Sequence, residues 1–470
     1  MDSESFREWA VRAAEWAADY RATLADRPVR AQTPPGAIAA QLPPQAPEMP
    51  EDMQAIFADF ERIILPGMTH WQHPRFFAYF PANASPISVI AEILVSAMAA
   101  QCMLWQTSPA ATELETVVLR WLRQALGLPN DFQGVIQDSA SSATLAAILT
   151  MRERALDFGG NKHGLAARPQ VRVYASDQTH SSIDKAVWIA GIGQDNLIRI
   201  PTRGTTHAMD VDALASAISA DRASGLLPAG IVACVGGTSM GAIDDLSGIT
   251  AVARHYDLYV HVDAAWAGAA MICPEFRTLW AGAESVDSLV LNPHKWLGAQ
   301  FDCSAHFVRD PDSLVRTLAI QPELLRTHGR EGLINYSEWS IPLGRRFRAL
   351  KLWFLMRGHG LEGLRAMIRN HVRWSQALAR RLAAEPGFAL LTEPILSLFS
   401  FRHDPGDRRD LDAHNLSLLA AISDDGRLYL TQTRVEDRIA IRFQIGAMET
   451  TEADVELAFE VICDLARKLA

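Results

Sequence analysis

The chain has 470 residues, of which 49% are hydrophobic, and this length exceeds the range in which a single hydrophobic core keeps growing. Two or three compact parts are therefore expected. The net charge of −10 comes from interspersed acidic and basic residues, so the composition excludes the basic stripe that nucleic acid or an anionic membrane requires.

The first residues, 1–5, are acidic and lack the basic and apolar regions of a secretory signal, and no later apolar run is long enough to span a bilayer. We therefore expect a cytoplasmic protein. The five cysteines are odd in number, widely spaced and free of C-x-x-C pairs. This pattern predicts neither a disulfide framework nor a zinc site, and no metal is expected.

The chain opens with a predicted amphipathic helix. Ser5 and Glu8 form the pattern of a capping box, and apolar residues that include Trp9 and Trp16 recur at helical spacing after them. Residues 28–50 are rich in proline, which disfavours the interior of helices and sheets, so they are predicted to form an extended arm. A helix on such an arm is suited to wrap a second subunit.

From about residue 110 the pattern alternates between helices and short apolar runs. The runs lack the polar alternation of half-exposed strands, which is typical of parallel strands covered on both faces. They comprise residues 134–136, 171–174, 230–235, 258–262 and 288–291. The sequence therefore predicts an α/β domain with a largely parallel sheet.

The last part of the chain is predicted to form a smaller α+β domain. A long helical pattern follows residues 343–346, strand-like runs occupy 428–430 and 439–443, and a closing helix begins at about Thr451. The predicted division is 1–85 for an N-terminal helical and extended dimer clasp, 86–360 for the large α/β domain and 361–470 for the small domain.

Three reactive side chains follow three of the predicted strands. His180, Asp263 and Lys295 each come shortly after a strand, where open α/β sheets bind ligands. Each also has an ordinary interpretation: a structural histidine, a capping or turn aspartate, and a surface lysine. A lysine in such apolar sequence is unusual, however, because burial of an ammonium group is costly.

The three side chains together match the needs of pyridoxal phosphate (PLP). A PLP enzyme requires a lysine for a Schiff base, a carboxylate beside the pyridinium nitrogen and donors for the phosphate. Residues 139–142 (SASS) precede a helical pattern, and hydroxyl groups at a helix N-terminus predict an anion site. Simple N-capping is the alternative for this segment. The combination predicts a PLP site.

Several longer motifs make this prediction specific. They are residues 73–81 (HPRFFAYFP), 112–115 (TELE), 176–182 (SDQTHSS), 261–268 (HVDAAWAG), 292–296 (NPHKW), 301–304 (FDCS) and 341–348 (IPLGRRFR). In this order they closely resemble the group II PLP decarboxylases, nearest to the aromatic-L-amino-acid decarboxylases, over nearly the whole chain. The resemblance implies the PLP-dependent transferase-like fold type I with a mostly parallel seven-stranded sheet. It also implies an obligate homodimer whose active sites lie at the subunit interface.

The resemblance assigns a role to each residue of the PLP site. Lys295 is implied to form the Schiff base, Asp263 to face the pyridine nitrogen and His180 to stack on the ring. The residues implied to hold the phosphate or line the site are Ala140, Ser141, Thr238, Asn292 and His294.

Protonation of Cα after loss of carbon dioxide is assigned by the same resemblance to Tyr336, at the matching position of a mobile loop. Gly329 and Gly332 lie close to it and predict a lid that closes on the substrate. The alternative is that Tyr336 only packs its loop.

The substrate prediction depends on aromatic and apolar surroundings. The residues implied to contact substrate are Trp71, Tyr79, Phe80, Pro81, Ala82, Gln101, Met103 and His180. Such surroundings leave the side-chain carboxylate of glutamate or aspartate without a partner, so an aromatic L-amino acid is predicted. Family members that act on dihydroxyphenylalanine often carry Thr, Ile and Phe where this chain has Ala82, Gln101 and Met103. Phenylalanine, tyrosine, dihydroxyphenylalanine, tryptophan and 5-hydroxytryptophan therefore all stay open.

The sequence thus predicts a carboxy-lyase that converts an aromatic L-amino acid into the arylalkylamine and carbon dioxide. The second candidate is an aldehyde synthase, a relative that couples decarboxylation to oxidative deamination and typically replaces either Tyr336 or His180. A decarboxylase of acidic amino acids is the third candidate, and a non-catalytic PLP-binding protein is the fourth. Retention of Lys295, Asp263, His180 and Tyr336 argues against the fourth.

Overall fold

The structure is a computed structural model that describes residues 1–320, 332–406 and 410–469. The chain divides into two compact units. The first comprises Met1–Pro81, Trp374–Leu391 and Ser400–Ala470, and the second comprises Ala82–Arg373 and Thr392–Phe399. Among the described residues, no helix combines the length and the apolar character that a membrane crossing needs.

Helices occur in both units. In the first unit they are α1 (Ser3–Ala22), α2 (Met53–Asp59), α12 (Leu411–Asp425) and α13 (Glu452–Leu469). In the second unit they are α3 (Pro86–Met98), α4 (Pro109–Leu126), α5 (Ala140–Ala155), α6 (Gly160–His163), α7 (Ser182–Ile189), α8 (Val211–Ala223), α9 (Leu246–Tyr256) and α10 (Pro311–Leu318). The predicted long helix is confirmed as α11 (Arg348–Ala384), which contributes to both units. It is interrupted at Gly360, whose φ of 63° suits glycine.

A seven-stranded sheet forms the framework of the second unit. Its strands are β1 (Gln133–Gln137), β2 (Val171–Ser176), β3 (Leu197–Ile200), β6 (Leu227–Cys234), β7 (Tyr259–Asp263), β8 (Ser288–Leu291) and β9 (Ser304–Val308), while β4 (Thr202–Arg203) and β5 (Ala208–Met209) form a separate ribbon. The spatial order is β1-β9-β8-β7-β6-β2-β3. Strands β8, β7, β6, β2 and β3 are parallel, and β9 is antiparallel to both of its neighbours. Strand β1 consequently runs in the same direction as β8.

The five strands predicted from apolar runs are confirmed as β1, β2, β6, β7 and β8. Every residue of β7 and β8 is buried, as expected of strands covered on both faces. On one face, Ile148 and Met151 of α5 belong to a core cluster with Val173 of β2 and Val232 of β6. This packing holds α5 against the middle of the sheet.

Most residues of the smaller sheet belong to the first unit. Its strands are β10 (Phe388–Leu390), β11 (Leu398–His403), β12 (Thr431–Val435) and β13 (Arg438–Gln444), in the order β10-β11-β13-β12. The predicted strand at 439–443 and the closing helix are confirmed as β13 and α13. The strand predicted at 428–430 is wrong, because Tyr429 makes only an isolated bridge with Phe76 and β12 begins two residues later.

The opening helix is confirmed, but its predicted capping box is wrong. The helix begins at Ser3, and the Asp2 side chain accepts a hydrogen bond from the Ser5 amide at 2.8 Å. Aspartate caps a helix as well as serine does, so the start moves towards the N-terminus. The Trp9 and Trp16 rings lie 5.7 Å from Phe57 and 4.9 Å from Phe60, which gives the aromatic face of α1 a partner within its own unit.

Candidate active site

The predicted PLP residues meet at one edge of the seven-stranded sheet. They follow the carboxyl ends of strands that point the same way: Ala140 and Ser141 after β1, His180 after β2, Thr238 after β6, Asp263 at the end of β7, and Asn292, His294 and Lys295 after β8. In α/β sheets this edge is where ligands bind. The topology therefore brings together residues that are widely separated in sequence.

Hydrogen bonds fasten the loops of this edge to one another. The Asn292 amide donates to the Ala265 carbonyl oxygen at 2.8 Å, which joins the loops after β8 and β7. Trp266 Nε1 donates to the Gly236 carbonyl oxygen at 2.6 Å, which joins the loops after β7 and β6. The loops therefore form a fixed frame for a ligand.

Lys295 lies in a π-helical turn, Pro293–Leu297, and is half-buried. The turn is held from outside by the fully buried Asn83, whose Nδ2 donates to the Lys295 carbonyl oxygen at 2.5 Å. The Asn83 amide donates to the His294 carbonyl oxygen at 2.7 Å. Asn83 thus fixes the backbone on which the reactive amine is carried.

Asp263 ends β7 and is 8% exposed. Its Oδ1 accepts a hydrogen bond from the Ala265 amide at 3.0 Å. Among the described residues no donor reaches Oδ2 within hydrogen-bonding distance, so one carboxylate oxygen is left to accept a proton donor from a ligand. Because the loop holds Oδ1, the orientation of Oδ2 is set before a ligand arrives.

His180 is exposed, and its ring is held in one tautomer. Nδ1 accepts the Ser182 amide at 3.1 Å and lies 2.9 Å from Ser182 Oγ. A ring nitrogen that accepts an amide N–H carries no proton, so the neutral ring has its proton on Nε2. The loop that carries Thr238 lies next to this one, because a Cβ on Gly237 would come within 3.0 Å of the Gln178 carbonyl oxygen.

The start of α5 supplies amide donors for an anion. Ser139 caps the helix by accepting the Ser142 amide at 3.2 Å, which confirms the capping interpretation of that hydroxyl. The amides of Ala140 and Ser141, at the first two helical positions, have no intrahelical acceptor. Capping uses the Ser139 hydroxyl, so the amides of the next two residues are available to an anion.

His294 is a neutral donor on the loop that follows β8. Its Nδ1 accepts the Cys303 amide at 2.9 Å, which leaves the proton on Nε2. Burial, and secondly the positive charge of Lys295, lowers the pKa of His294 to about 3. Asn292 is buried next to it, with Oδ1 accepting the Ser304 hydroxyl at 2.6 Å.

These groups fit PLP. The edge offers an amine on Lys295, a carboxylate oxygen of Asp263 without a donor, and the amides of Ala140 and Ser141 at a helix N-terminus. They correspond to the aldehyde, the pyridine nitrogen and the phosphate of the cofactor.

Tyr336 does not lie at the edge of the sheet that carries Lys295. It is 2% exposed, and its hydroxyl is 2.9 Å from Thr116 Oγ1. It lines a cavity together with Gly134 of β1 and Phe307 of β9. These two residues are paired in the sheet and lie near the amino end of β1. The structure therefore does not bring Tyr336 to the edge that carries Lys295, and its position agrees with the alternative of a loop-packing residue.

The surroundings of Tyr336 explain its burial. Its ring belongs to a core cluster with Trp339, and the Arg345 guanidinium lies 5.0 Å from the ring centroid. Burial raises the pKa of the Tyr336 hydroxyl. Of the two glycines predicted to form a lid, Gly332 is exposed and Gly329 lies outside the described residues.

The aromatic substrate residues belong to the first unit. Trp71 is stacked 5.9 Å from Tyr79, and the Tyr79 carbonyl oxygen accepts a hydrogen bond from Arg442. Phe80 and Pro81 are buried and close to Gly446, where a Cβ would lie 2.7 Å from Phe80.

The remaining predicted substrate residues belong to the second unit. Ala82 directly precedes Asn83, which holds the Lys295 turn, so Ala82 lies close to that turn. Gln101 Oε1 accepts the Arg345 amide at 2.7 Å. The Met103 carbonyl oxygen accepts the Ser337 amide at 3.1 Å, so Gln101 and Met103 contact the 337–345 segment.

Sequence reasoning missed two elements of this site. Asn83 was not predicted to have a role, because its hydrogen bond reaches a residue 212 positions away and leaves no local pattern in the sequence. Arg345 and Glu115 lie in two of the family motifs, but their buried bidentate pair, at 2.6 and 3.2 Å, joins positions 230 residues apart. Arg345 also donates to the Ile136 carbonyl oxygen at 2.8 Å and so fixes the end of β1.

Comparison with known proteins agrees with this geometry. The model of the pyridoxal-dependent decarboxylase conserved domain matches residues 35–404. The chain belongs to this family. It is accordingly a PLP-dependent carboxy-lyase of fold type I, as the motifs predicted.

Its relatives cover essentially the whole chain. Phenylacetaldehyde synthase from Arabidopsis thaliana is 39% identical over 480 residues, which cover 100% of this chain and 97% of that protein. Aromatic-L-amino-acid decarboxylase from Rattus norvegicus is 40% identical over 480 residues, 99% of this chain and 98% of that protein. The crystal structure of Oryza sativa TDC with PLP and tryptamine aligns with a TM-score of 0.96 at 33% identity, covering 100% of this chain and 99% of the other.

Proposed function

We propose that this decarboxylase removes the α-carboxylate of an aromatic L-amino acid and releases the corresponding arylalkylamine. The proposal rests on one observation: Lys295, Asp263 and His180 lie at the same edge of the sheet. Asp263 Oδ2 is left there as an acceptor for a ligand, and the Nε2–H of His180 is left as a donor. When bound there, PLP supplies a ring that takes up the electron pair left at Cα as carbon dioxide departs.

Each residue of the edge then has a defined task. Lys295 would hold the cofactor through its side-chain amine. Asp263 accepts a proton donor at Oδ2, and its negative charge favours a protonated pyridine nitrogen. The amides of Ala140 and Ser141 and the Nε2–H of His294 donate to the phosphate, and the His294 ring is neutral when it does so. Thr238 lines the side next to His180.

The aromatic substrate is supported by the family resemblance, which implies that the aromatic and apolar residues Trp71, Tyr79, Phe80 and Pro81 contact the substrate. The names of the relatives point the same way, since they include phenylacetaldehyde synthase and aromatic-L-amino-acid decarboxylase. We place Ala82, Gln101 and Met103 among the residues that select between aromatic side chains.

The proton delivered to Cα has two candidate donors. The family resemblance assigns the donation of this proton to Tyr336. The position of His180 at the edge that carries Lys295 favours His180 instead, because Ser182 contacts only its Nδ1 and the proton on Nε2 points away from those contacts. We propose His180 Nε2 as the donor.

The aldehyde synthase stays the second candidate function, because the Tyr336 hydroxyl is hydrogen-bonded to Thr116 at the other end of the strands.

We also propose a homodimer in the cytoplasm, in which residues 1–85 form the clasp. Helix α3 supports a second copy, because Ile90, Ile93, Leu94 and Met98 recur at helical spacing and are 45–54% exposed. The five cysteines, all buried and unpaired, fit a reducing compartment.

The decisive experiment follows all products at once. Purified enzyme is loaded with PLP, incubated in aerobic buffer with each aromatic amino acid, and assayed for amine, aldehyde, carbon dioxide, ammonia and hydrogen peroxide. Amine equal to carbon dioxide supports the proposal, and glutamate serves as the control substrate. Aldehyde with ammonia and peroxide in place of amine would establish the synthase instead, and turnover of glutamate alone would reject the aromatic substrate class.

A further inference from the structure

A second cavity lies at the amino end of β1, within the second unit. Its volume is about 140 Å³. The apolar part of its wall consists of Leu119, Phe132, Phe307, Ile334 and Trp339. A cavity of roughly 150 Å³ with an apolar lining holds benzene, so this one has room for a single six-membered aromatic ring.

One polar group in the wall is left without a partner. Nε of Arg123 is buried, and within the described ranges no acceptor lies in hydrogen-bonding distance of it. The rest of the guanidinium is fixed: Nη1 donates to the carbonyl oxygens of Asn130 at 2.5 Å and Phe132 at 3.3 Å, and Nη2 donates to Asn130 Oδ1 at 2.9 Å. A buried donor without an acceptor is unfavourable, and a ligand oxygen would satisfy it.

The charges around the cavity favour an anion. Arg120 lines it beside Arg123, and none of the lining residues that the structure describes is acidic. Two carboxylates adjacent in sequence to lining residues are already paired: Glu115 with the Arg345 guanidinium at 2.6 and 3.2 Å, and Asp131 with Arg309 at 2.6 Å. Among the lining residues that the structure describes, a ligand carboxylate therefore meets two positive side chains and no negative one.

We propose that this cavity binds a small aromatic carboxylate. The aromatic ring lies between Leu119 and Ile334, and the carboxylate accepts a hydrogen bond from Arg123 Nε. Because the cavity lies at the other end of the strands from Lys295, this site is separate from the active site and does not depend on the proposed substrate.

Phenylacetate is the probe. Isothermal titration calorimetry on the PLP-loaded enzyme compares it with 2-phenylethanol, which has the same ring and chain length but no charge. Leu119→Phe and Ile334→Phe each enlarge a side chain that lines the cavity, and Leu333→Phe makes a similar change at an exposed neighbour that does not line it. Arg123→Gln removes the charged donor.

The wild-type enzyme and Leu333→Phe should show a saturable phenylacetate site that is absent from both cavity-filling variants. Loss of a hydrogen bond to a charged group should weaken phenylacetate binding to Arg123→Gln by about tenfold or more, with little effect on 2-phenylethanol. Any phenylacetate bound at the active site persists in the filling variants and is subtracted. Circular dichroism melting shows that each variant is folded.

Two results would overturn the proposal. One is wild-type affinity and stoichiometry for phenylacetate in folded Leu119→Phe or Ile334→Phe. The other is a wild-type titration that contains no site beyond the one that the filling variants retain.

Discussion

Replacement of Tyr336 by phenylalanine separates its two interpretations. The change keeps the buried ring and removes only the hydroxyl, which has its contact with Thr116 Oγ1 at 2.9 Å. If Tyr336 is a packing residue, Tyr336→Phe should leave both the turnover number and the amine yield close to those of the wild type. If it delivers the proton to Cα, amine formation should fall, and aldehyde should rise in the presence of oxygen.

The expected cost in stability follows from the contacts of Thr116. Its hydroxyl also donates to the Thr112 carbonyl oxygen at 3.0 Å, so the substitution leaves Thr116 with a partner. Loss of a neutral hydrogen bond without an orphaned group should lower the free energy of unfolding by about 1 kcal/mol. Thr116→Val removes the same hydrogen bond from the other side but leaves the buried Tyr336 hydroxyl without the Thr116 partner, so this variant should lose more stability, about 1–3 kcal/mol.

Urea denaturation of the two single variants and the double variant gives these free energies. If the two hydroxyl groups share this hydrogen bond, the double variant should be no less stable than Thr116→Val alone, because Tyr336→Phe removes the hydroxyl that Thr116→Val leaves without a partner. Amine, aldehyde and peroxide are measured on the same preparations in aerobic buffer. A fall of tenfold or more in amine formation by Tyr336→Phe, with Thr116→Val unaffected, would refute the packing role, since tenfold corresponds to about 1.4 kcal/mol in the barrier.

Three further substitutions or deletions test other parts of the structure. Lys295→Ala should abolish steady turnover while the melting curve and the oligomeric state stay unchanged, and borohydride should fix PLP to the wild-type chain alone; wild-type turnover would exclude the lysine. Asp263→Asn should retain PLP by absorbance but turn over on the order of 10²-fold more slowly or worse, because the pyridine nitrogen loses its charged partner; an unchanged rate would remove Asp263 from the mechanism. Deletion of residues 1–50 should expose Phe57 and Phe60, which α1 contacts, and should weaken dimerisation or solubility; a fully active, soluble dimer would show that the clasp is dispensable.

Buried strands were the most predictable part of the fold. Strands β7 and β8 are apolar runs whose composition directly reflects burial on both faces. Strand β9 was not predicted, because its Ser304 and His306 are polar although both are fully buried. Only the pairing of β9 with β1 and β8 explains why such residues form a strand.

In the candidate site, too, features that depend on local sequence were predictable, whereas contacts between residues far apart in the chain were not. The positions of Lys295 and Asp263 at the carboxyl ends of strands were predictable, because a reactive residue directly after an apolar run is a local pattern. The clamp by Asn83 connects residues 212 positions apart and cannot be read from either segment alone. Tyr336 shows the reverse case, since the motif suggested a mobile loop whereas the ring is part of a core cluster.

If the amides of Ala140 and Ser141 hold the cofactor's phosphate, as proposed, the cofactor-free protein should bind inorganic anions at the start of α5. Phosphate or sulfate from a buffer would then occupy the place of the cofactor's phosphate and stabilise the cofactor-free form by mass action. Protein prepared in phosphate should therefore melt at a higher temperature without cofactor than protein prepared in a cationic buffer. It should also take up PLP more slowly, because the resident anion has to leave first.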